Sequence, residues 1–214
     1  LTPRGTPDMP APAKAQEDWL VLLLARGRLS AGGQAEAQAL LGTPLRWDLI
    51  LARAEEHEVY PLLHHHLREL GFEGVPLDAR HRLEALQRAS ALRVTLLAEE
   101  LTRVLHALDR EGIPAIPLKG PALAESLYGD RTLRTAGDLD VLVPRAQARR
   151  AIQALAGIGY APEITAPFLD RRVLHARVEC SLRKPGPLLD THLDLHWGIL
   201  LLPRWEREAM RDLW

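Results

Sequence analysis

Asp138-Leu139-Asp140-Val141-Leu142-Val143 alternates acid with aliphatic, then turns wholly apolar before Pro144. Such alternation predicts a β-strand, in which successive side chains point to opposite faces. Asp138 and Asp140 then share one face, while Leu139, Val141 and Val143 enter a core on the other. Two carboxylates that close repel each other, and a divalent cation between them removes the repulsion. Taken alone the pair also fits a solvated strand start, because so short a motif arises by chance.

A second alternating stretch follows downstream, His192-Leu193-Asp194-Leu195-His196-Trp197. Its polar residues fall on one face and Leu193, Leu195 and Trp197 on the other. If this strand lies beside the first, Asp194 completes a three-carboxylate site for one or two metal ions. The same pattern also describes a sheet with one solvated face. Upstream, Leu118-Lys119-Gly120-Pro121 joins a short apolar run at 113–118 to a helical stretch. Gly120 lets the backbone approach a ligand, the helix amides favour phosphate, and Lys119 adds positive charge. Many strand-to-helix turns carry Gly for geometry alone.

Working outward, residues 1–16 carry Pro3, Pro7, Pro10 and Pro12 and are expected to form a disordered leader. Residues 17–90 read as a helical N-terminal region, with Leu20, Leu23, Leu24, Leu49, Ala52, Leu62 and Leu63 at helical spacing. The clearest helix spans 81–110, with Leu92, Leu96, Leu97, Leu101, Val104, Leu105 and Leu108 on one face and Gly112 as its stop. Residues 91–214 then form an α/β domain. It has strands at 113–118, 139–143, 173–182 and 191–197 and a helix at 146–156. The fold class is therefore α+β, a helical region followed by a mixed sheet flanked by helices. The chain opens on Leu1 and stops at Trp214 within a helical pattern, so truncation at the C-terminus is expected.

Together these segments resemble the polymerase-β-like nucleotidyltransferase superfamily, in which a Gly-containing turn precedes a helix, an acidic pair opens the next strand and a third acid sits on a later one. More closely, the chain is similar to a bacterial family of uncharacterised nucleotidyltransferases. The match runs through Leu118-Lys119-Gly120, Tyr128, Arg134, Asp138-Leu139-Asp140-Val141-Leu142-Val143 and Asp194-Leu195-His196-Trp197, and covers about residues 45–200. The resemblance implies that Asp138, Asp140 and Asp194 bind Mg²⁺ or Mn²⁺ and are catalytic. It also implies that Lys119, Gly120 and Arg134 contact a nucleoside triphosphate. Where the superfamily usually has Gly-Gly or Gly-Ser, this chain has Gly120-Pro121. The acceptor is left open among a protein, a peptide, an RNA end and a small molecule.

Composition sets further bounds. The net charge of -1 lacks the basic excess of long nucleic-acid binders. Cys180 is the only cysteine, so an intramolecular disulfide is impossible and a reducing cytoplasm is expected. The apolar run at 19–25 is far short of the about 20 residues a bilayer requires, so no membrane span is expected. His64-His65-His66 read as helix residues pointing about 100° apart, unsuited to sharing an ion. His175 reads as structural, Cys180 as core, and Arg134 as either a phosphate contact or a surface charge. An aspartyl-nucleophile phosphatase fits poorly, because the apolar run follows the acidic pair rather than preceding it. The remaining rival is a nucleotide- or partner-binding module of the same fold without catalysis.

Overall fold

The computed structural model describes residues 16–163 and 178–198. The leader expected at 1–16 lies outside them except for Gln16, as do His175 and the chain beyond residue 198. The chain divides into two compact units, Leu1–Ala85 and Leu86–Trp214.

The first unit holds α1 (Gln16–Leu24), α2 (Ala31–Leu41), α3 (Trp47–Glu56) and α4 (Tyr60–Glu69). Leu20, Leu23, Leu24, Ile50, Leu63 and Leu67 meet in its core. Leu49 is only partly buried and Ala52 is exposed; α3 turns Ile50, Leu51 and Ala54 inward instead. Ser30 caps α2, its hydroxyl accepting from Gly33 N–H at 3.2 Å. Glu17, 7% exposed, accepts from the backbone and side chain of Arg46, at 3.2 and 2.9 Å.

Helix α5 (Leu77–Arg110) ends before Gly112, whose φ of 64° suits a residue without a Cβ. Val94, Leu97, Leu101, Val104 and Leu108 are buried, but Leu92, expected on this face, is 62% exposed. At about 100° per residue Leu92 stands nearly opposite Val94, Leu101 and Leu108 on the helix, so only its spacing to Leu96, and not its face, matches theirs.

The second unit is α+β. Its sheet has the order β1-β2-β5-β4-β3, built from β1 (Ile116–Pro117), β2 (Leu139–Leu142), β3 (Ala161–Pro162), β4 (Glu179–Lys184) and β5 (Thr191–His196). Strands β2 and β5 run parallel, and every other neighbouring pair is antiparallel. The expected strand at 113–118 contracts to two residues, since Pro114 and Pro117 have no N–H to give to a ladder. Of the strand expected at 173–182, residues 173–177 lie outside the described chain, and β4 continues to Lys184. The short β3 was not anticipated, because two residues give no periodic signal. The helix expected at 146–156 is α7 (Ala148–Ala156), entered through a 3₁₀ turn at Arg145–Gln147.

One face of the sheet packs on helix side chains. Leu139, Val141, Val143, Cys180, Leu182, Leu193, Leu195 and Trp197 join residues of α5 and α7 in a single core. At its edge, buried Glu100 of α5 accepts from Lys184 at 2.8 Å, Arg103 at 2.7 Å and Tyr160 at 3.2 Å. Burial pushes the Glu100 carboxyl up, but the Lys184 and Arg103 bonds outweigh it and the net movement is downward. Burial beside that carboxylate drives the Tyr160 hydroxyl upward.

The hydrogen bond from Arg46 pulls the Glu17 carboxyl from 4.5 down to about 2. A carboxylate depressed in the folded state stabilises fully above its unfolded value and progressively less as pH falls toward the folded one. Thermal melts of wild type and Glu17→Gln should therefore differ most above pH 5 and converge between pH 4.5 and 2.

Candidate active site

The site begins at the β1–α6 turn. Leu118 N–H donates to the carbonyl of Asp140 at 2.9 Å, which lays the turn alongside β2. Lys119 is extended and precedes α6 (Gly120–Tyr128), and Gly120 adopts φ 67°. A Cβ on Gly120 would stand 3.5 Å from the carbonyl oxygen of Asp138, so the constraint is mainly the backbone conformation. Pro121 occupies the first turn of the helix, where its missing N–H is tolerated.

Parallel pairing of β2 with β5 sets Asp140 directly opposite Asp194, and Leu142 opposite His196. The burial of β5 alternates as the sequence implied, with Leu193 and Leu195 inside and His192, Asp194 and His196 more open. Ligand atoms of Asp140, Asp194 and His196 all lie within 4.8 Å of one another. Asp138 is exposed and sits in the bend just before β2, outside this trio. The structure therefore brings Asp140 and Asp194 together and leaves Asp138 at the rim.

Asp140 is the electrostatic centre. It is 3% exposed, yet it carries a carboxylate. Its Oδ1 accepts from Lys119 Nζ at 3.0 Å and lies 3.1 Å from His196 Nε2. Its Oδ2 is buried and has no hydrogen-bond partner among the described residues. The other ring nitrogen of His196, Nδ1, lies 3.2 Å from Glu179 Oε2. The hydrogen bond to Asp140 holds the Lys119 ammonium above its ordinary value, with further help from the charges of Asp138 and Asp194.

Lys119 thus lies against the acidic cluster rather than standing apart as a phosphate contact. Arg134 is half-buried, and its Nη1 is buried without a partner among the described residues. Among the described residues no hydrogen bond or ion pair joins it to the three aspartates. The loop entering Asp138 is held instead by Arg93, which donates to the carbonyls of Ala136 and Gly137 at 3.0 and 2.7 Å. Neither Arg93 nor Glu179 stood out in the sequence. The alternation that placed Asp194 and His196 on one face was the only signal for a histidine here.

A second polar group lies in the first unit. His65 and His66 were expected to diverge, yet they meet Glu69 with ligand atoms within 4.8 Å. Glu69, one turn on, reaches both rings. Buried His66 places Nε2 2.8 Å from the Arg26 carbonyl and Nδ1 3.2 Å from Glu69 Oε2.

A family model described as an uncharacterised nucleotidyltransferase matches residues 43–214, a span that contains the whole acidic cluster. The chain belongs to that family. No curated protein matches the chain. Membership in the nucleotidyltransferase family supports nucleotidyl transfer as the general kind of reaction and a nucleotide as substrate. Among the described residues no helix is long and apolar enough to cross a membrane.

The packing separates the two central acids by role. Asp194 is held in place by its neighbours Leu193 and Leu195, whereas Asp140 supports Lys119 and His196. In chelator, Asp194→Asn should therefore change unfolding free energy by no more than about 0.5 kcal/mol. Asp140→Ala removes the buried carboxylate against which Lys119 and His196 are held and should cost about 1–3 kcal/mol. Denaturant melts of both variants beside wild type measure the contrast. A larger loss for Asp194→Asn would reassign it to a structural role.

Proposed function

We propose that this chain transfers a nucleoside monophosphate from a nucleoside triphosphate to an acceptor, with Asp138, Asp140 and Asp194 holding Mg²⁺ or Mn²⁺. The observation that carries the reading is the buried, unpartnered Oδ2 of Asp140 facing a second strand that bears Asp194. A carboxylate so deeply buried is costly unless its charge is met, and hard oxygen donors in this arrangement suit a divalent cation. The donor set therefore fits the metal that a polymerase-β-like fold implies.

A bound cation would supply Lewis acidity at the phosphate undergoing attack and would offset charge on the departing pyrophosphate. The chain's own groups have distinct tasks. The first-turn amides of α6 at Gly120 offer donors to phosphate oxygens, and Lys119 beside them adds a mobile positive charge. Arg134, with a buried donor unmet, is a further candidate phosphate contact. Asp194 takes the proton of the acceptor hydroxyl. The acceptor oxygen bonds to the α-phosphorus, the bond from that phosphorus to the bridging oxygen breaks, and pyrophosphate leaves. The acceptor is a protein, peptide, RNA end or small molecule; neither a long nucleic acid nor a membrane is a proposed partner, and the cytoplasm is the proposed location.

The test is transfer itself. The chain is incubated with Mg²⁺ or Mn²⁺, each of the four nucleoside triphosphates labelled at the α-phosphate, and cell extract. Label should pass to one acceptor class with wild type and fall to background with Asp140→Asn or Asp194→Asn. Nucleotide binding without transfer to any acceptor would favour the non-catalytic binding module. Calorimetric titration provides a second check. Lys119→Ala should weaken nucleotide affinity by roughly 5- to 30-fold, equivalent to about 1–2 kcal/mol, with a smaller loss of fold stability. Unchanged affinity would remove Lys119 from the nucleotide site.

A further inference from the structure

The environment of His196 goes beyond a three-carboxylate site. His196 lies two residues after Asp194 on β5, on the same face, one step along the register from the Asp140–Asp194 pair. Both of its ring nitrogens face carboxylates: Nε2 is 3.1 Å from Asp140 Oδ1, and Nδ1 is 3.2 Å from Glu179 Oε2. A neutral imidazole has one N–H and one lone pair. One nitrogen can donate, but the other then points a lone pair at an anion. Only a cation on that side, a proton or a metal ion, turns the second contact from repulsive to attractive.

Glu179 offers the ring a second acceptor besides Asp140. It stands directly across β4 from His196, and its side chain is about half exposed, outside the buried cluster. In the tautomer that gives Nδ1–H to Glu179, the Nε2 lone pair is left on the Asp140 side. Histidines that ligate metals regularly have this arrangement, with the far N–H given to a carboxylate that fixes the tautomer and the ring plane. Two further observations point to the same place. Asp140 Oδ2 is buried without a partner, and Asp138 lies outside the trio formed by Asp140, Asp194 and His196.

We infer that His196 Nε2 is a direct ligand of the metal held by Asp140 and Asp194, with Glu179 orienting the ring, so that the centre favours Mn²⁺ over Mg²⁺. Mg²⁺ strongly prefers oxygen donors in a rigid octahedron, whereas a transition ion such as Mn²⁺ accepts an imidazole nitrogen among carboxylates more readily. This rests on the metal-site reading above and narrows it from an all-oxygen set to a mixed one.

The experiment uses Mn²⁺ as the probe. The full chain is titrated with Mn²⁺ and followed by continuous-wave and pulsed electron paramagnetic resonance. Wild type should bind Mn²⁺ and show modulation from a directly bound ¹⁴N. His196→Gln should lose the modulation, bind Mn²⁺ roughly 10-fold more weakly, and narrow the preference over Mg²⁺ in competition by a similar factor. Glu179→Ala alters only a half-exposed side chain. It should keep the modulation while weakening Mn²⁺ binding by roughly 10-fold.

Bound Mn²⁺ without nitrogen modulation in wild type would overturn the inference, because an imidazolium that merely hydrogen-bonds Asp140 gives none. The carboxylate site and nucleotidyl transfer would survive that result. Modulation that persists in His196→Gln would also overturn it, by placing the nitrogen elsewhere, for instance at His65 and His66. Absence of any Mn²⁺ binding would remove the metal reading and this inference together.

Discussion

A carboxylate buried in the middle of a sheet must have its charge met from nearby, and the rest of the site is arranged around meeting that of Asp140. Water cannot reach it, so the partners have to come from the chain. The β1–α6 turn delivers Lys119 to one oxygen, and β5 delivers His196 to the same oxygen. The second oxygen receives nothing from the described residues. That asymmetry supports the metal-site proposal over an internal ion pair, since a purely structural aspartate would be expected to have both oxygens satisfied.

Topology makes the arrangement possible. The acids reach each other only because β2 and β5 are parallel neighbours in register. The chain returns to β5 after passing through α7, β3 and β4, long enough for the crossover that parallel strands require. Antiparallel β4 then closes the other side of β5 and supplies Glu179. The opposite face of the same strands carries the stability. Leu193 and Leu195 pack into the helix-covered core, so β5 keeps its position without help from its polar side chains. A period of two thus places chemistry and packing on opposite faces of one strand.

That separation explains what was legible in the sequence. The fold class, β2 and β5 could be read because their alternation is regular and their apolar residues have one destination. Gly120 could be read because a strand-to-helix turn needs a residue free of Cβ strain. The faces of long helices were less legible. Leu92 and Ala52 fit the period and yet lie exposed, because periodicity gives a spacing and not the angle at which a neighbour is met. Asp138 and Asp140 were equivalent in the D-x-D motif, but β2 begins only at Leu139, so the first acid stays at the rim while the second is buried. Glu179 and Arg93 gave no local signal, since each acts through a residue dozens of positions away or across a strand.

Lys119 shows how one residue can satisfy both readings. Sequence reasoning set it beside a phosphate, and the structure sets it on Asp140. In the proposed reaction these would be successive uses of one charge rather than rival ones. The lysine side chain is 59% exposed although its partner is buried, so the ammonium is held by one contact and not by packing. A compact point charge on a flexible stem can pass from a carboxylate to an incoming phosphate without rebuilding the turn. A guanidinium clamped on both oxygens of Asp140 would be harder to release and would block the oxygen that is now unpartnered. The extended backbone of Lys119, held between the Leu118–Asp140 hydrogen bond and the φ of Gly120, anchors the stem and leaves the tip free. In the proposed reaction the glycine and the lysine would act as one device: the first fixes where the charge is carried, and the second lets it change partner.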